Sequence, residues 1–590
     1  MTAPESTDLR ARLASLDPAQ RAALAARLAA RREGKTSLGR RPGPRDTFPL
    51  GMDQERLWVL DQLYPGTTTY TLGFGLRFLG ELDQEAFTRA ANAVVARHEL
   101  LHSSVEVLRG RPVLRLHPGR GADLTFTDRS DGPDEEREER RKRFIKEQVA
   151  RPFDLGRDPV LRIAVADLGG DHQVVQTMPH SFTDQWSYVR INKELLEFYR
   201  AFKEGDEPDV PELPVQFGDW AQWQRDLFDG PQGERHRAFW RDYLAGVPER
   251  LALPYDHPQD TTDHDGRQYN FVLDPEVAAA FAARARQSRS TVANAMAAVY
   301  ATLLYEETGE RDVIVGVPSV TRSEPAVQDI AGFLLTNLPL RVRIPEHPTP
   351  AGVLAAAQAA GSAIAGHHEV PFGEIVKAAA PERSHLGYPL LQTMLVHLDL
   401  ADSVFYTVPG ARVYANAVNE GISSMDMTIA WWQVSDVMFG RIEYRTALFE
   451  ESTVARLSRR LLQLVELFAH QPDAPLAPRG AVGVRQRAAD LWREALGVDR
   501  ADPQDAFADR GGTPLAAARL TRALREAGAA PTVGIRPATT LGELAEHLAT
   551  ATGRRPGAAA DDHVPGRLNV SADYLERLFS QGSGVGQENL

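Results

Sequence analysis

The stretch QTMPHSFTDQWSY, residues 176–188, puts His180 four residues ahead of Asp184 at the end of an alternating apolar run. An imidazole takes or holds a proton near neutral pH and a carboxylate can orient it, so the pair has the ingredients of general-base chemistry. Asp184 is too close in sequence to orient His180 from one regular strand. If residues 181–183 turn a corner, the carboxylate can brace the loop while the imidazole faces a cavity. The pair by itself leaves two readings open, a catalytic histidine or a buried structural one that a strand delivers. His367, His368 and Glu369 form another concentration of ligand-type side chains. Three adjacent residues cannot all face one ion from a regular element, so no metal is expected. GxSxG, P-loop and GxGxxG patterns in suitable contexts are absent, which leaves serine hydrolase, nucleotide hydrolase and dinucleotide-binding readings without their warrants.

These residues need a frame to position them. The chain has 590 residues, 43% of them hydrophobic, enough for several packed cores. A net charge of −13, with no dominant basic block, argues against nucleic acid or an anionic membrane as partner. Zero cysteines exclude a disulfide framework, a thiolate nucleophile and Cys-ligated metal, and fit a reducing compartment. The first residues, MTAPESTDLRARLASLDPAQ, lack the apolar stretch of a signal peptide, and no run of about 18 apolar residues follows. A cytoplasmic location is expected.

Leu9, Leu13, Leu16, Leu24 and Leu28 make residues 1–33 a helical preface, either a solvated leader or a docking element for a partner enzyme, and the Gly/Pro-rich segment 34–47 reads as a linker. From 48 to 476, helical patterns (84–101, 276–287, 291–306, 350–365) mix with strand patterns (110–117, 161–168, 171–180, 312–318, and near 390–398, 424–431 and 438–445). That mixture means an α/β or α+β fold. Two lobes of similar size, about 48–220 and 221–476, are expected around a join interrupted by Pro208, Pro211, Pro214, Pro231 and Pro248, and a cleft between lobes is the default place for a site. After a second linker, 477–483, residues 484–552 carry three amphipathic patterns that read as a small helical bundle. Residues 553–590, polar and Gly-rich apart from ADYLERLF (572–579), read as a disordered tail, or less favourably as a partner-binding segment.

MDQERLWVLDQL (52–63, with Gln54, Arg56, Leu57 and Trp58), RHELLHSSV (97–105), MPHSFTDQWS (178–187), FGDWAQWQ (217–224), FWRDYLAGVPERLALPYDHP (239–258), IAGFLLTNLPLRV (330–342), HHEVPFGEIV (367–376) and YPLLQTML (388–395) follow one another along the chain. In that order they resemble the motifs of the condensation domain of nonribosomal peptide synthetases, a two-lobed pseudo-dimer similar to chloramphenicol acetyltransferase. The resemblance implies transfer of an acyl group from a carrier-bound thioester to an amine or hydroxyl, in a tunnel between the lobes. His180 would accept or hold the nucleophile's proton. Asp184 would pair with an arginine of the second motif, for which this sequence offers Arg97, since His102 replaces the usual arginine. Pro179 stands where the family has a first histidine, Gln185 where it has a glycine able to adopt positive φ, and Ser187 is retained. Trp186, Thr336 and Asn337, the last two reversing the usual Asn-Thr, are candidate tunnel or substrate residues.

LWREALGVD and DAFADRGGTPLAAARL (505–520) resemble a peptidyl carrier protein, with Asp505, Phe507, Gly511, Gly512, Leu515 and Ala517 close to the pattern. Pro514 occupies the phosphopantetheine serine position. Proline suits a first helical turn but offers no hydroxyl. The resemblance therefore implies no covalent cofactor on this chain and action on phosphopantetheine thioesters held by partner carrier proteins. The expected function is a condensation-type acyltransferase acting in trans, and the alternative is a non-catalytic platform that recruits carriers or tailoring enzymes.

Overall fold

The computed structural model describes residues 38–41, 46–248, 250–259, 261, 263–379, 390–398, 405–418, 421–434, 437–479, 481–498, 500–502, 504–526 and 535–545. The preface at 1–33, most of the first linker and the tail at 553–590 lie outside them.

Alternation of apolar residues builds the first sheet. Its six strands run in the order Phe405–Val408, Ala411–Ala417, Thr71–Gly80, Asp171–Pro179, Arg162–Asp167, Asp123–Asp128. Ile163, Val165, Val174 and Met178 join the main core, beneath the paired helices Gln84–Arg97 and Gln185–Glu204. Ala164, Ala166 and Val175 point the other way, onto Phe144, Ile145 and Val149 of helix Arg137–Val149. The period of two along each strand thus fills both faces, and the strand that ends at the motif is buried along most of its length.

A second six-stranded sheet has the order Leu335–Arg343, Asp312–Val320, Thr393–His397, Met427–Val434, Val437–Arg445, Gly266–Val272. Helix Val292–Thr308 is buried from Ala295 to its end. Its two buried carboxylates are neutralised from outside: Arg460 grips Glu306 at 2.7 and 2.8 Å, and Arg456 meets Glu307 at 2.6 Å. Buried charges persist when paired and hydrogen-bonded in this way.

The lobes are not divided as the sequence reading expects. Residue 220 falls inside helix Phe217–Asp229, and strand Ala411–Ala417, from the C-terminal half, pairs with Thr71–Gly80 in the N-terminal sheet. Alternation identifies a strand but not its partner, so this crossover was invisible. The helix expected over 84–101 ends at Arg97 and continues as a 3₁₀ turn, Glu99–His102.

The C-terminal module packs Ala488, Leu491, Trp492, Phe507, Ala516, Leu520, Leu541, Leu544 and Ala545 into a core of its own. Its first helix, Ala481–Leu496, begins within the expected 477–483 linker and packs on helix Val292–Thr308.

Candidate active site

Strand Asp171–Pro179 delivers the motif to the lobe seam, where residues 180–182 turn a 3₁₀ corner and Asp184 caps helix Gln185–Glu204. The corner that the sequence reading required is therefore present. The backbone N–H of His180 donates to the Tyr70 carbonyl at 2.7 Å. Nδ1 of His180 lies 3.0 Å from the Thr183 carbonyl, so the ring proton sits on Nδ1 and Nε2 keeps a lone pair. Burial pulls the imidazole pKa below its ordinary value; the Thr183 carbonyl and Asp184 oppose this, and the Arg56 charge adds to it. The ring of Phe333, from the C-terminal half, stands edge-on to it at 5.0 Å between centroids. His180 is half-buried, and with its proton on Nδ1 the ring's remaining acceptor is Nε2.

Asp184 does not pair with Arg97. Its partner is Arg322, and both side chains are only 2% exposed. Arg322 Nη2 lies 3.3 and 3.4 Å from the two carboxylate oxygens, while Nη1 donates to the Val327 and Ile330 carbonyls at 2.7 Å. Asp184 also accepts from the Ser187 N–H at 2.7 Å and the Leu334 N–H at 3.0 Å. The Ser187 hydroxyl sits 2.6 Å from Asp184 Oδ1 and 2.7 Å from the Gly332 carbonyl, either of which takes its one proton, and accepts from the Gly332 N–H at 3.0 Å. Arg97 instead makes an ion pair with Glu194 at 3.2 Å and donates to the Pro211 carbonyl. The reason is placement: Arg97 ends a helix on the Glu194 side of the motif helix, whereas Arg322 follows strand Asp312–Val320 directly into the seam. Arg322 belongs to none of the recognised motifs; its one signal was a lone charge after a buried strand.

The remaining expected residues separate. Pro179 is buried and lines a small pocket of about 20 Å³ whose walls are mixed, with Leu57, Phe153 and Leu155 beside Asp61, Thr71 and Ser181. Gln185 opens the motif helix and is not among the positive-φ residues, so its backbone needs no glycine. Trp186 is 46% exposed and donates to the Gln328 carbonyl at 2.8 Å, outside the main cavity. Thr336 is buried and donates to the Val370 carbonyl at 2.9 Å, and Asn337 sits opposite Pro318 in the sheet; neither is a wall of the main cavity.

That cavity, of about 1210 Å³, lies between the halves of the molecule, with Arg56, Tyr70, Lys146, Arg250, Phe372 and Asp426 among its walls. Tyr70 and Arg56 connect it to His180, which is not itself a wall residue. Asp53 ties the two halves beside it, accepting from the Phe372 and Gly373 N–H groups at 3.1 and 3.4 Å. Burial holds the Asp53 pKa above the usual carboxylate range.

The HHE segment forms no ligand cluster: His367 Nδ1 faces His236 Nδ1 at 2.8 Å, its ring stacks on Phe239, and His368 bonds the Ala365 carbonyl. Among the described residues no group of three or more ligand-type side chains could hold a metal, and no helix is long and apolar enough to cross a membrane.

In the C-terminal module, Pro514 is the first residue of helix Pro514–Glu526 and Thr513 caps it, its hydroxyl accepting from the Ala516 N–H at 3.2 Å. No serine occurs anywhere between 486 and 548. The residues present do not fit a phosphopantetheine attachment site.

Comparison with solved structures defines the class of fold. The X-domain from teicoplanin biosynthesis superposes with a TM-score of 0.68 at 24% identity, covering 75% of this chain and 99% of that one. The first condensation domain of the calcium-dependent antibiotic synthetase gives 0.63 at 21% identity, covering 73% and 98%. The fold is thus the two-lobed, chloramphenicol acetyltransferase-like one. The Condensation domain family model matches residues 44–488, and the PP-binding model, Phosphopantetheine attachment site, matches 486–548. Phosphinothricin tripeptide synthetase PhsC of Streptomyces viridochromogenes is 32% identical over 475 residues, 80% of this chain and 44% of that protein. A linear gramicidin synthase from Brevibacillus parabrevis is 31% identical over 447 residues, 75% of this chain and 9% of that protein. The chain belongs to the condensation-domain family, and the relatives it matches are peptide synthetases. It spans less than half the length of each of these two relatives.

Proposed function

We propose that this chain is a condensation enzyme working in trans, joining an acyl group from a partner carrier's thioester to an amine or hydroxyl nucleophile. The observation that carries this reading is the His180 imidazole with its proton fixed on Nδ1 by the Thr183 carbonyl, which leaves Nε2 as the ring's proton acceptor. The chemistry asked of it is modest. A thioester is already activated, and an α-amine with a reference pKa of about 7.7–8.0 is substantially neutral at pH 7.5, so holding the two together supplies much of the acceleration. His180 takes the proton released as the new bond forms and can pass it to the departing thiolate. Asp184 and Arg322 do not touch the reactants; they fix the corner that aims His180. Pro514, and the absence of serine from 486–548, support a carrier-like module that is never primed, which is why the acyl donor comes from a partner.

One observation favours the second reading, a docking platform: His180 is not a wall of the large cavity. The X-domain of teicoplanin biosynthesis, similar in fold, has been solved in complex with OxyB. To decide between them, the purified chain is mixed with an acyl group loaded on a separate carrier and an amine or hydroxyl acceptor, and product is followed by mass spectrometry. Product that requires the separate carrier supports condensation in trans. Stable binding of the carrier without product, across several acceptors, supports the platform.

A further inference from the structure

Residues 331–334 reach the motif from the opposite half of the molecule, and side chains of the N-terminal half capture their backbone at three successive points. His98 Nδ1 accepts from the Ala331 N–H at 3.2 Å, Ser187 Oγ from the Gly332 N–H at 3.0 Å, and Asp184 Oδ2 from the Leu334 N–H at 3.0 Å. His98 is itself held, its Nε2–H donating to Glu194 at 2.7 Å. Buried amides left without acceptors are costly, so these bonds fix the segment closely. Between the captured amides stands Phe333, 4% exposed, with its ring T-shaped against His180.

We propose that Phe333 is a positioning residue for His180: carried across the seam, its ring holds the imidazole in one orientation and keeps water from it. This rests on His180 being the proton acceptor and adds how its basicity is set. The charged groups that act on the imidazole are Arg56 on helix Met52–Leu63, itself paired with Asp53, and Asp184 on its own corner, with Arg322 behind Asp184. Arg56 opposes protonation and Asp184 favours it; neither depends on Phe333, so removing the ring isolates the effect of water exclusion. Desolvation disfavours the imidazolium, and readmitting water raises the His180 pKa toward the ordinary value of about 6.5.

The test is an NMR titration of the ¹⁵N-histidine-labelled full chain, with the His180 signal assigned by its loss in His180→Ala. In the wild type, His180 titrates below the ordinary value with its proton on Nδ1. In Phe333→Ala the midpoint moves up, whereas Phe333→Leu, which keeps an apolar plug, leaves the midpoint close to wild type. His98→Ala, which frees the Ala331 amide, moves it in the same direction as Phe333→Ala. An unchanged midpoint in a folded Phe333→Ala protein overturns the proposal; should that variant fail to fold, an unchanged midpoint in His98→Ala does so. Because the readout is a titration and not turnover, it stands apart from whether His180 is the base in condensation.

Discussion

At the scale of single residues, the proposed function divides the site into a group that reacts, His180, and groups that aim it, Asp184 and Arg322. His180 and Asp184 were legible in the sequence as a pair, with Asp184 expected to brace a corner and His180 to face a cavity, but the four-residue spacing alone does not say whether residues 181–183 turn that corner or which arginine meets Asp184. Arg322 was illegible for a plainer reason: an arginine from a non-motif loop becomes a partner only after two halves of the chain meet. Each member of the Asp184–Arg322 pair is nearly fully buried, so removing one strands the other's charge. Asp184→Ala and Arg322→Ala should each lower the unfolding free energy by about 3–5 kcal/mol, measured by urea denaturation followed by tryptophan fluorescence. The double variant should lose less than the sum, since no lone charge remains. Arg97, paired with Glu194 instead, should not couple to Asp184 in the same cycle.

At the scale of elements, periodicity placed most of the strands and helices, since residue alternation and helical spacing are local properties. Where each strand pairs is decided by long-range packing, and the crossover strand Ala411–Ala417 shows the limit. It belongs by sequence to one lobe and by hydrogen bonding to the other. Gly80 makes that approach possible: its φ is +127°, and an added Cβ would lie 2.3 Å from the Gly410 carbonyl oxygen. Gly80→Ala should therefore cost about 1–3 kcal/mol and loosen the seam, read as faster amide hydrogen exchange in residues 411–417. Gly119→Ala, at positive φ but with open space around it, is the control for backbone strain alone.

At the scale of the whole molecule, a condensation fold is followed by a module that matches the PP-binding family and that the proposed function treats as never primed. A cleft between the lobes was expected from the sequence, but its walls were not readable, because they come from many separate segments. Incubation with coenzyme A and a phosphopantetheinyl transferase should leave the mass of the chain unchanged, and any added arm would contradict the trans reading. The lowered His180 pKa fixes the sign of the pH dependence. A base that is active when neutral works above its folded pKa, so the rate, referred throughout to the neutral form of the acceptor because an α-amine itself titrates at about 7.7–8.0, should hold as pH falls through the ordinary histidine value and decline only below it. The most direct measurement is the single-turnover rate of acyl transfer from a pre-loaded partner carrier, across pH, for the wild type and His180→Ala. A wild-type acid limb below pH of about 6.5, with a variant roughly 10²–10⁴-fold slower and lacking that limb, is the expected result; equal rates and identical pH profiles for the two proteins would contradict a catalytic His180.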